Sequence, residues 1–202
     1  MIAPQPLTVP ELLGIVSGLF LITGYLPYMY EVLKKKTVPN RMSWFIWSLS
    51  TATILFGVRT TGTTEAIWVP IADAVGCFLI FVLALRYGVG GASTTDRISL
   101  GICIASLLTW WLTGNAMLAL IMNLCIYVSG YIPTIKKALE NPQSESHTAW
   151  SLFFIGVVLN IITVAIGTDT GLAIWLYPVT LVCVVGTLLA ILIFKSRDKK
   201  AR

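Results

Sequence analysis

Thr23-Gly24-Tyr25-Leu26-Pro27, near the start of the chain, returns past its middle as Ser129-Gly130-Tyr131-Ile132-Pro133, at a spacing of 106 residues. The same spacing carries Leu33 to Leu139, Trp44 to Trp150 and Cys77 to Cys183, and Ala66-Ile67-Trp68 recurs as Ala173-Ile174-Trp175 at 107. One such match is cheap, but agreement along the whole of two segments is not. The chain contains a repeat, and the nature of the repeated unit decides the fold.

Outward from that phrase the sequence is apolar. Its 202 residues are 56% hydrophobic and only 11% charged, with a mean hydropathy of +0.84, too few solvating side chains to cover a soluble globule. A bilayer crossing takes about 20 residues, so seven crossings consume most of the length and no separate soluble domain fits. The opening Met1 to Val9 has no basic stretch and reads as part of the protein, not as a cleaved signal. Thr8, Pro10 and Glu11 suit a helix start, because proline is tolerated in a first turn and an acid there meets the positive end of the helix dipole. That helix runs to Leu33, where Lys34-Lys35-Lys36 and Pro39-Asn40 stop it. Further helices are expected over 42–58, 65–85, 98–112, 116–139, 148–166 and 172–194, the fourth being the shortest.

Lys and Arg mark the cytoplasmic side of such a protein. With the N-terminus outside and the C-terminus inside, 13 of the 14 basic residues fall on inner loops and the tail, and Arg59 alone lies outside. The net charge of +5 therefore marks the inner face of a multi-pass protein of the plasma (inner) membrane, not a nucleic-acid partner. Three helices leave the chain on the opposite face, so a second copy in the same orientation needs one extra crossing, which the fourth helix supplies. The expected fold is all-α, with seven transmembrane helices as two parallel three-helix bundles joined by a linker helix in a 3+1+3 plan. Residues 1–87 form the first repeat, 88–114 the linker with the fourth helix, and 115–202 the second repeat and a basic cytoplasmic tail. Symmetry of this kind puts a solute site at the repeat interface.

A Gly-Tyr-x-Pro element late in a helix (Gly24, Tyr25, Pro27), a short basic loop after it and a second copy at Gly130, Tyr131 and Pro133 resemble the PQ-loop and SWEET-like membrane transporters over nearly the whole chain. The resemblance implies alternating-access movement of a small polar solute, a sugar first, through a cavity between the bundles. Amino-acid or vitamin carriers of the same fold and a non-transporting PQ-loop receptor or accessory protein are the alternatives; Trp44-Phe45-Ile46-Trp47 keeps the vitamin carriers in view. The implied partners are the solute, the lipid bilayer and, through an acid, protons. The chain departs from the family after each proline, where Tyr28 and Thr134 replace glutamine. It departs again where SWEET carriers place proline near the start of the second and sixth helices, for Trp44 and Trp150 stand there.

Candidate site residues follow from chemistry that an apolar helix does not otherwise tolerate. Pro27 and Pro133 remove a helical donor and crowd the preceding turn, so with Gly24 and Gly130 they are candidate hinges, a static kink being the other reading. Most tryptophans lie near predicted helix ends and suit the headgroup belt; Trp44 and Trp150, with Tyr28 nearby, are the candidate cytosolic gate. Each polar group deep in a span needs a partner or water. Asn123, Asn160 and Thr180 are candidate solute contacts, with interhelical hydrogen bonds the alternative. Asp73 is the only one of nine acids well inside a span, since Glu31 has Lys34 and Lys35 one turn away. The Asp73 position resembles that of the asparagine which contacts sugar in SWEET carriers, with Asn160 and Thr180 as partners across the cavity. A carboxylate there can accept hydrogen bonds, pair with a cation or take up a proton. No enzyme constellation is found, since His147 has no nucleophile beside it and no phosphate cradle precedes a helix. No cofactor, metal site or disulfide framework is expected from four cysteines scattered in apolar stretches.

Overall fold

Side chains that take up free helix amides set most of the helix starts. Thr8 Oγ1 accepts from Glu11 N at 3.4 Å while the Glu11 carboxylate accepts from Thr8 N at 2.8 Å, a capping box that opens α1, Val9–Leu33. Asn40 Oδ1 accepts from the amides of Met42 and Ser43 and opens α2, Arg41–Thr60. α3, Trp68–Tyr87, starts without a side-chain cap, and α4, Thr94–Thr113, follows a glycine-containing link. Asn115 caps α5, Ala116–Glu140, and Ser146 caps α6, His147–Ile166. The last helix, α7, runs Leu172–Lys200. The computed structural model describes residues 6–60, 66–90, 94–167 and 171–200. Apart from a 3-10 turn at Pro142–Ser144 and one isolated bridge between Asn40 and Val89, all of its regular structure lies in these helices.

The boundaries differ from the sequence expectation in three places. Glu65 lies outside the described residues, and α3 begins at Trp68. α4 starts four residues before Ile98. α7 continues through the basic tail instead of stopping at Phe194, because nothing from Lys195 to Lys200 is glycine or proline.

Loops lock the helix ends that carry the basic residues. Lys35 turns the chain out of α1 with φ 57, a left-handed conformation that costs a side-chain-bearing residue about 1–2 kcal/mol. Arg41 N donates to Val89 O and Val89 N to Pro39 O, both at 3.0 Å. Arg41 Nε donates to Ala84 O at 3.0 Å, a cation on the negative end of α3. Gly90 holds φ +78 beside Asn40, whose Nδ2 would lie 2.6 Å from any added Cβ, so only glycine fits.

α1 packs against α3 and α6, α2 against α3 and α5, and α7 against α5 and α6. Those six helices therefore follow one another in a closed circuit, α1, α3, α2, α5, α7, α6. α4 stands outside it against α5 and α2. The main buried cluster draws residues from all six members of the circuit. Among the described residues, four helices are long and apolar enough to cross a membrane: Val9–Leu33, Trp68–Tyr87, His147–Ile166 and Ile174–Ser196. Leu12, Leu19, Leu26 and Leu33 stand exposed along α1, an outward stripe of the kind that lipid covers.

Candidate functional site

Asp73 is where four helices meet. It lies on the inner face of α3, 4% exposed. One carboxylate oxygen, Oδ1, accepts the hydroxyl of Tyr25 from α1 and lies 3.7 Å from Cys77 Sγ, one turn along α3. The other, Oδ2, accepts Tyr127 of α5 at 3.0 Å and Tyr177 of α7 at 2.5 Å. Three phenols thus satisfy one buried carboxyl group, the condition on which such a group can be kept out of water.

Around this cluster runs a closed cycle of six rings: Tyr25, Trp44, Trp47, Tyr131, Trp150 and Phe153. Consecutive centroids lie 6.4, 4.9, 4.9, 5.9 and 5.4 Å apart, and 4.7 Å closes the cycle from Phe153 to Tyr25. The repeat spacing of 106 relates one half of the cycle to the other, Tyr25 to Tyr131, Trp44 to Trp150 and Trp47 to Phe153. Offset and edge-to-face pairs of this kind each contribute about 0.5–1.5 kcal/mol beyond their area burial. Glycines seat two of the rings, again in equivalent positions. A Cβ on Gly24 would meet Phe153 at 2.6 Å, and one on Gly130 would meet Trp47 at 2.3 Å.

The rings, Asp73, Cys77 and Tyr127 line a cavity of about 20 Å³, the room of a single water molecule. Leu21, Val157, Leu181 and Val185 complete its wall. All six helices of the circuit reach it. Between α3 and α7 the matching positions lie 108 residues apart: Asp73 and Cys77 line the cavity as Leu181 and Val185 do, buried Val69 answers Tyr177, and Pro70 answers Pro178. The Cys77 and Cys183 match at 106 is therefore not a structural pair, for Cys77 is buried and Cys183 exposed.

At the basic end, polar contacts tie α1 and the loop after it to α5 and the start of α6. Glu31 of α1 accepts from Ser146 Oγ, the α6 cap, and from Thr37, both at 2.9 Å. This corrects the expected pairing with Lys34 and Lys35, which point outward and exposed. Lys137 of α5, the repeat mate of Glu31, donates to Val38 O at 3.0 Å and pairs with buried Glu145 at 2.5 Å. Glu145 also accepts Trp150 Nε1 at 3.0 Å.

The sequence candidates distribute as follows. Trp44 and Trp150 sit in the ring cycle, with buried Tyr28 against Trp44 at 5.1 Å. Asn123 joins α5 to α2 through Ser50, its Oδ1 accepting at 2.7 Å and its Nδ2 donating at 3.0 Å. It does not line the cavity. Asn160 is 1% exposed with neither amide atom bonded, and it lies one turn beyond Val157. Thr180 does not face Asp73: its hydroxyl turns back to Leu176 O, and the residue borders an open apolar groove between α5 and α7. Tyr177, one turn earlier, is the α7 partner of Asp73. Pro27 lies inside an unbroken α1, and Pro133 inside α5; the side chain of Pro133 is outside the described residues. Trp47, expected in the belt, is a cavity residue, whereas Trp68 and Trp111 are exposed. Tyr127 and Tyr177 were not singled out by sequence, although Tyr127 stands at the repeat mate of Leu21.

Among the described residues, no three His, Cys, Asp or Glu gather into a metal site. Compared with family models, with curated proteins and with solved structures, the chain matches none.

Proposed function

We propose that the chain is a membrane carrier of the PQ-loop and SWEET-like kind, built as two three-helix repeats joined by α4 in a 3+1+3 plan. It moves a small polar solute by alternating access and carries out no chemistry on it. α1, α3 and α2 form one repeat; α5, α7 and α6 form the other. The N-terminus lies outside the plasma membrane and the basic ends lie inside. The observation that carries this reading is the position of Asp73. A lone carboxyl group in a wall shared by six helices, at the seam between two copies of a repeat, is where a carrier of this symmetry holds its solute. The contacts of Glu31 with Ser146 and of Lys137 with Val38 cross the same seam at the basic end and act as the closed inner gate. Trp44 and Trp150 lie beneath it, and the Pro27 and Pro133 turns absorb the bending.

A cavity for one water describes a closed conformation, so solute must enter by parting the ring cycle. Of its six contacts, Tyr25 with Phe153 and Trp47 with Tyr131 join the two repeats and are the ones that break. Reconstitution tests the reading. Liposomes holding the purified protein should exchange a labelled solute saturably, and the Pro27→Ala, Pro133→Ala double variant should slow that exchange while remaining folded. Failure to exchange any sugar, amino acid, amine or vitamin would instead favour a receptor of the same fold.

A further inference from the structure

We propose that the cavity around Asp73 is a cation site, and that the solute is a small organic ammonium ion. This rests on the carrier reading and narrows it from the sugar that the family resemblance implies. Seven aromatic side chains line the cavity with four aliphatic ones, a thiol and a single acid, Asp73. Among the described residues no Lys, Arg or His lines it; Lys137 is paired with Glu145, which accepts from Trp150. Aromatic faces carry negative quadrupole potential and hold cations within about 6 Å of their centroids, more strongly when water is excluded. Asp73 adds the formal charge that a transferred cation needs.

The hydrogen-bonding capacity of the wall argues the same way. Trp47 Nε1 is committed to Tyr127 O at 3.1 Å and Trp150 Nε1 to Glu145 at 3.0 Å. Tyr25, Tyr127 and Tyr177 are committed to Asp73. Asn123 and Thr180, which could have served a polyol, lie elsewhere. A sugar hydroxyl entering this space would compete for groups already satisfied, whereas a quaternary ammonium head makes no hydrogen bond and meets the carboxylate and the rings through its charge alone. An anion would meet both the acid and the ring faces and be repelled. The space of about 20 Å³ holds one water, so a methylated ammonium head enters only when the cycle parts at its two seams.

The test uses the full-length purified protein with choline, methylammonium, glucose and 3,3-dimethylbutan-1-ol, the uncharged counterpart of choline. Thermal stabilisation reports binding through mass action, and indole fluorescence reports it independently. Choline or methylammonium should stabilise saturably, and the alcohol and glucose should not. Asp73→Asn and Trp44→Leu should each weaken cation binding at least tenfold, and Trp44→Phe, which keeps a ring, should retain most of it. Equal binding of choline and its uncharged counterpart, binding of glucose alone, or binding of no cation would each overturn the proposal. Liposome flux separates this from the carrier reading. Saturable glucose exchange without cation binding would leave a carrier and remove the cation site. Cation binding with no exchange in either direction would keep the site and remove the carrier.

Discussion

Asp73 holds its surroundings together as well as marking the site. Replacing it by alanine removes an acceptor from three buried phenols, of which Tyr25 keeps its contact with Cys77 Sγ at 3.3 Å, and an unsatisfied buried hydroxyl costs about 1–3 kcal/mol. Asp73→Ala should therefore lower the melting temperature sharply, whereas Asp73→Asn keeps one acceptor oxygen and should lower it far less. Equal melting temperatures for both variants and wild type would show that the three hydrogen bonds contribute little. The acid was legible in the sequence because a charge inside a span is costly and rare. Its tyrosine partners were not, since a tyrosine in an apolar segment suits the membrane interface equally well. Thr180 in place of Tyr177 is an error of one helical turn, and periodicity alone does not fix which face of an apolar helix turns inward.

The glycines of the repeated phrase carry meaning at the level of helix packing. Gly24 and Gly130 suggested flexibility, and the structure supplies a second reason for them, as seats for Phe153 and Trp47. Gly24→Ala and Gly130→Ala should each cost about 1–3 kcal/mol through overpacking, read as a loss of melting temperature, because the blocking atoms belong to rigid rings. Gly57→Ala meets nothing within 4 Å and serves as the control, with a gain of up to about 1 kcal/mol from helix propensity. Stability unchanged in Gly24→Ala and Gly130→Ala would reject the ring seats and return these glycines to the hinge. Helix count and most boundaries were readable, because caps and basic turns punctuate the chain. The shift from 106 to 108 on the third helices was not, because apolar residue types recur at several registers along such helices, and it misled the Cys77 and Cys183 match.

On the scale of the whole molecule, the sequence spacing of 106 relates the rings of the cycle and the glycine seats in pairs. The sequence did not disclose that Glu31 and Lys137, repeat mates of opposite charge, would both reach across the seam, since neither lies near its partner in the chain. The central claim is that this seam opens. Spin labels at exposed Leu33 of α1 and Thr148 of α6, with the protein in lipid nanodiscs, read the distance across it directly. We expect a short population and a longer one, the longer growing when Glu31→Leu and Lys137→Met remove the ties. A single distance, unchanged by loss of both ties, would contradict alternating access.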